Sequence, residues 1–239
     1  MLESLPASGS VLIGTAATLA IVHTVLGIDH SLPFVVLGRA RGWTLRRTLS
    51  ITSVCGLGHV ASSVVIGTAG IGLGVAADSM LWLESARGEL AAALLIGFGL
   101  AYAAWALWVR LRGRAHSHVH AHADGTVHSH PHSHAGEHLH PHDAGRGLTA
   151  WTLFVVFLLG PCEPLIPLMV VPAIAGDWML VAAVVAVFGL LTVSAMLVTV
   201  ALAFRGLGLA GIKGVGLYGD ALAGVLVAAS GAAVLWLGL

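Results

Sequence analysis

Residues Ala20–Val36 read AIVHTVLGIDHSLPFVV. The flanks of this stretch are apolar enough to dissolve in lipid, yet its middle holds His23, Asp29, His30 and Pro33. The apolar run around it covers residues 10–37, and as one helix it would be about 40 Å long at about 1.5 Å per residue. The hydrocarbon core of a bilayer is about 30 Å thick. Gly27 and Pro33 interrupt the run, so it reads as two short helices with an irregular joint. Such a joint is tolerated at membrane depth only where it lines a cavity or is buried in protein.

The rest of the chain agrees with a lipid setting. Of its 239 residues, 57% are hydrophobic and only 9% are charged, against about 25% charged in soluble domains. The formal net charge is zero, which gives no hint of nucleic-acid binding. The N-terminus MLESLPASGS has no basic segment, so the first apolar run is expected to stay as a membrane helix rather than be removed as a signal peptide. Cys55 and Cys162 are too few for a disulfide framework.

Apolar runs long enough to cross lie near 10–37, 49–72, 88–109, 149–175, 178–204 and 217–238, predicting six spans. Arg39, Arg41, Arg46, Arg47, Arg110, Arg112, Arg114, Arg146, Arg205 and Lys213 fall between spans one and two, three and four, or five and six; Arg87 alone falls on the other side. Basic loops stay in the cytoplasm, so both termini are expected outside. The seven tryptophans fall near span ends, where their rings favour the interface.

The sequence also repeats. DHSLPFVV (Asp29–Val36) aligns with EPLIPLMV (Glu163–Val170) at an offset of 134, and GELAAALLIGFGLAYAAW (Gly88–Trp105) aligns with GDALAGVLVAASGAAVLW (Gly219–Trp236) at 131. A duplicated unit of three spans must run through the membrane in opposite senses, the inverted-repeat plan of many transporters. The expected fold is therefore an all-α membrane protein of six transmembrane helices in two inverted three-helix repeats. Residues 1–110 form the first, 148–239 the second, and 111–147 a disordered cytoplasmic loop between them. The first and fourth helices are expected to break at Gly27 and Pro33, and at Gly160, Pro161, Pro164 and Pro167.

Ionisable groups within a membrane are functional candidates by default. His23 and His30 are two helical turns apart, on one face if the helix persists between them. His59 follows Cys55 by four residues in CGLGHVASS, and span five offers Thr192, Ser194 and Thr199. His23, Asp29, His30 and His59, faced by Glu163 and Cys162 from the second repeat, make a candidate site for a divalent transition metal.

The loop HSHVHAHADGTVHSHPHSHAGEHLHPHD (His116–Asp143) holds 11 of the 14 histidines: His116, His118, His120, His122, His128, His130, His132, His134, His138, His140 and His142. Such a tract cannot build a core and binds nickel, zinc, cobalt or copper at several sites. Metal buffering is the expected role.

HTVLGIDH (His23–His30), LGH (Leu57–His59) and the histidine loop together resemble the nickel/cobalt transporter family (NiCoT/NicO, including urease-accessory-type members) of the LysE-type superfamily. The spacing departs by one residue, since six positions separate His23 from His30 where the family has five. GPCEPLIP (Gly160–Pro167) is similar to the Pro-Cys-x-x-Pro segment of CcdA/DsbD-type membrane thiol–disulfide transporters. The resemblance to the nickel/cobalt family implies a bacterial inner-membrane transporter rather than an enzyme. Its cargo would be nickel or cobalt, with zinc or copper also compatible, and it would carry no organic cofactor. Its partners would be lipid, metal and a cytoplasmic metallochaperone. The alternative is an electron carrier using Cys55 and Cys162; a third reading has the loop sequester metal while the membrane part only anchors it.

Overall fold

The computed structural model describes residues 7–111, 116–121, 127–132, 143–209 and 218–237. The chain runs α1 (Ala7–Leu26), a 3-10 turn (Ile28–His30), α2 (Leu32–Ala40), α3 (Leu45–Gly72), α4 (Ala77–Leu111), β1 (His116–Ala121), β2 (Val127–His132), α5 (Asp143–Leu159), α6 (Leu165–Ile174), α7 (Trp178–Leu209) and α8 (Gly219–Leu237). Among the described residues five helices (α1, α3, α4, α7 and α8) are long and apolar enough to cross a membrane, and α5 and α6 are shorter apolar helices.

The long runs at 10–37 and 149–175 are broken helices. At Gly27 the chain leaves α1, makes the 3-10 turn and restarts at Leu32, with Pro33 in the first turn of α2, where the missing N–H of proline costs nothing. The second break falls at 160–164, with Pro164 capping α6 and Pro167 in its first turn. Helices α2 and α6 then end alike. Gly42 (φ 62°) and Gly176 (φ 74°) take the left-handed conformation, in which an added β-carbon is strained. Gly42 N donates to Arg39 O and Trp43 N to Gly38 O; Gly176 N donates to Ala173 O and Asp177 N to Pro172 O. This is the two-bond C-terminal cap that closes orphaned carbonyls, and each residue of one cap lies 134 positions from its counterpart in the other.

Helices α1, α5 and α6 pack on the long helices α3 and α7, while α2 packs on α8. α4 and α8 cross antiparallel. A β-carbon on Gly224 would stand 2.6 Å from both Ala103 N and Gly99 O, one on Gly99 would collide with Ala228 N, and one on Gly231 would meet Ala92 O at 2.7 Å. Small residues permit this backbone approach where lipid offers no hydrophobic drive between helices.

Buried apolar side chains form two clusters. One gathers Phe34, Leu37, Cys55, Leu95, Phe157 and Met196 around α2. The other gathers Ala16, Val60, Cys162, Leu165, Met169 and Phe188 around α6.

Three expectations change. The third helix starts at Ala77 rather than near residue 88, so Glu84 and Arg87 belong to α4 and are not loop charges. Trp43 is buried, with Arg47 over its ring, whereas the other six tryptophans are exposed. Within the histidine loop, β1 and β2 pair antiparallel where composition predicts disorder; His116 faces His132, His118 faces His130 and His120 faces His128 in the register. The period-two alternation of histidine with other residues suits a strand. His122, His134, His138, His140 and His142 lie outside the described residues.

Candidate metal centre

The first broken helix builds most of the site. The fourth residue from the end of α1 is His23, and the 3-10 turn carries Asp29 and His30. Their spacing does not place them on one helix face, because α1 stops at Leu26. The turn brings them together instead, with ring centroids 4.8 Å apart and planes at 77°. The turn satisfies its own backbone: Gly27 N donates to His23 O at 2.9 Å and His30 N to Gly27 O at 3.1 Å.

His59 comes from the middle of α3, between Cys55 of one core cluster and Val60 of the other. Its ring stands 5.1 Å from that of His30 and 6.5 Å from that of His23. Each of the three histidines offers a ring nitrogen within 4.8 Å of the others. Nε2 of His23 and Nε2 of His30 are buried with no hydrogen-bond partner, and both nitrogens of His59 lack a well-formed one, although the Phe157 backbone lies near enough to interact with that ring. Buried polar atoms normally find partners, and a cluster of bare imidazole nitrogens is a soft-to-borderline donor set for a divalent transition metal.

Asp29, expected as a ligand, lines the same cavity and stands beside His30. Its Oδ1 lies 3.1 Å from His30 Nδ1. A carboxylate only accepts, so the proton sits on Nδ1 and the lone pair of His30 is left on Nε2. Carboxylates commonly fix imidazole ligands in this way.

A cavity of about 30 Å³ adjoins the cluster, lined by Asp29, His30, His59, Gly88, Phe157 and Pro161 among others. It has room for one water-sized species. Phe157 packs against both His30 and His59, with centroids 6.5 Å and 6.4 Å away, and against Phe34 at 4.6 Å. Nothing in its sequence context separates Phe157 from an ordinary core residue.

Two expected members stand elsewhere. Glu163 is exposed, although it aligns with Asp29. Cys162 is fully buried in the α6-side cluster. Its backbone N lies 3.1 Å from Ser63 Oγ on α3, which places it about two turns, roughly 12 Å along the helix, beyond Cys55. Both thiols are free and buried. A disulfide needs α-carbons within about 7 Å, so this arrangement does not pair them.

The charges of α4, missed by the sequence, lie beside the second break. Glu84 is fully buried and paired with Arg87. Ser63 donates to Glu84 Oε2 at 2.9 Å, and Arg87 donates to Ser62 Oγ at 2.8 Å. Partnered charges are the form in which ionic groups survive in an apolar interior. Compared with protein families, curated proteins and solved structures, the chain shows no match.

Proposed function

We propose that this protein is a membrane transporter for a divalent transition-metal ion, nickel or cobalt first, with zinc and copper also suited to imidazole. The observation that carries this reading is the convergence of His23, His30 and His59, with buried ring nitrogens that lack well-formed partners, beside a broken helix. Ionisable residues at such depth mark ion pathways, and the cargo itself would complete the donors.

Two inverted three-span repeats fit this role, with α1–α2 and α5–α6 as the discontinuous first helix of each. The matched caps of α2 and α6 support the duplication, as does the packing of α1 on α7 and of α5 on α3. The histidines sit at the boundary of the two buried clusters, so rocking one half on the other would carry the site from one side to the other. His23, His30 and His59 would hold the ion and Asp29 would orient His30. Glu163 and Cys162 would not contribute ligands.

The basic loops would lie in the cytoplasm of a bacterial inner membrane, with both termini outside. Arg87, the one basic residue on the opposite side, is neutralised by Glu84 and no longer opposes that orientation. The histidine loop would then buffer metal in the cytoplasm or pass it to a metallochaperone. The separation of Cys55 from Cys162 weighs against the electron-carrier alternative.

The test is flux of nickel or cobalt into proteoliposomes. His30→Ala with His59→Ala should abolish it, and Cys55→Ser with Cys162→Ser should leave it largely intact. Equal flux with and without the two imidazoles would end the proposal.

A further inference from the structure

The two breaks are fastened differently. The first closes on its own backbone, as described above. The second has a similar local closure, Gly160 N donating to Val156 O and Leu165 N to Cys162 O, each at 2.9 Å, and is tied by side chains of other helices besides. Arg87 donates to Leu158 O at 2.9 Å and to Gly160 O at 3.4 Å, satisfying carbonyls at the end of α5. Glu84 Oε2 accepts from Cys162 N at 3.1 Å. One turn further along α4, Gly88 lets the joint approach; a β-carbon there would stand 2.9 Å from Pro161 Cγ. Backbone groups left open at membrane depth are costly, and here the carbonyls of Leu158 and Gly160 are met by a charge from another helix.

Gly160, one of the carbonyls held by Arg87, also backs the His59 ring. The pair bonds Ser62 and Ser63, one turn beyond His59 toward the α3–α4 turn at 73–76. It therefore lies over the histidine site on the side of that turn. A buried ion pair is a costly way to satisfy a few backbone groups; Ser63 alone already reaches Cys162 N.

We propose that Glu84 and Arg87 are positioning residues forming a clasp over the α5–α6 joint. While paired they hold Gly160 against His59 and shut the cavity toward the α3–α4 turn. Exchange of cargo on that side requires the joint to leave them. This rests on the transport reading.

Cys162, fully buried at the joint, is a built-in reporter. In the full-length Cys55→Ser protein, its labelling by a small water-soluble maleimide should be slow. Glu84→Gln should raise the rate at least tenfold, and Ser62→Ala, which leaves the ion pair intact, should raise it a few-fold. Thermal melting of Ser62→Ala should match the parent, which separates opening from misfolding. Arg87→Lys keeps a charge beside Glu84 but cannot span Ser62 and the two carbonyls. It should leave nickel binding by calorimetry within about twofold and cut transport turnover at least tenfold. Unchanged Cys162 labelling in Glu84→Gln, or binding that falls in step with turnover in Arg87→Lys, would overturn the clasp. Labelling is read without metal, so a parent that binds no nickel sinks the transport reading while the joint is still tested.

Discussion

Gly160 lies against His59: a β-carbon on residue 160 would stand 3.2 Å from His59 Nδ1. Gly27 has the same relationship to the first joint, where a β-carbon would stand 2.9 Å from His23 O and 3.0 Å from Asp29 Oδ1, and would collide with His30 Nδ1. Space rather than backbone freedom demands these glycines, since Gly27 has an ordinary φ of −71°. Gly27→Ala should therefore move His30 and Asp29 together and weaken nickel binding at least tenfold. Gly160→Ala displaces one ring edge and should cost a few-fold. Calorimetry on protein lacking residues 116–143 reads the membrane site alone.

Asp29→Asn removes the charge that fixes the proton on His30 Nδ1. Loss of such an orienting carboxylate typically weakens metal affinity about 10- to 100-fold, and Asp29→Ala should do no less. Affinity should also rise with pH through the imidazole range, because a protonated ring cannot ligate. Titrations of parent and Asp29→Asn at several pH values check both points; equal affinity at every pH would remove Asp29 from the site.

Much of this was legible in sequence, for physical reasons. The runs at 10–37 and 149–175 carry glycine and proline inside them, and those residues rather than length located both breaks, since α3 runs unbroken for 28 residues. His23, His30 and His59 stood out because imidazoles in an oily segment need a partner. The wrong turns share a cause. His23 and His30 meet through a 3-10 turn, and seven-residue spacing on an assumed continuous helix reached the right pair by the wrong geometry. Arg87 looked like a lone charge between spans, since a single sequence does not show that Glu84 is its partner. Glu163 aligns with Asp29, but the bonds that draw in Cys162 N bury residue 162 and leave its neighbour facing out.

The histidine loop and the membrane site should separate cleanly. Deleting residues 116–143 should lower the metal bound per protein, counted by elemental analysis, toward one equivalent, and leave transport blunted rather than lost. Loss of all bound metal would mean that the loop is the binding element and the membrane part only its anchor.

The α4–α8 crossing has no slack. Gly224→Ala places a methyl group 2.6 Å from backbone atoms of Gly99 and Ala103, and overpacking of this kind costs about 1–3 kcal/mol. Thermal melting in detergent should fall by several degrees, with metal stoichiometry unchanged below the transition. An unaltered melt would mean that these helices part easily.

Thr192 is set apart by its hydroxyl. Thr15, Thr18, Thr24, Thr48, Thr52, Thr68 and Thr199 each donate to the carbonyl four residues back, whereas Thr192 Oγ1 is buried with no partner. On α7, residue 189 meets Val60, and residues 193 and 196 meet Gly56. Helical periodicity puts Thr192 on that same face, turned toward α3 near the level of His59. Thr192→Val removes an unsatisfied buried hydroxyl, whose desolvation costs about 1–3 kcal/mol, and should raise the melting temperature by a few degrees. If the hydroxyl is kept free for passing cargo, turnover in proteoliposomes should fall several-fold in the same variant. A higher melt with undiminished turnover would leave Thr192 outside the pathway.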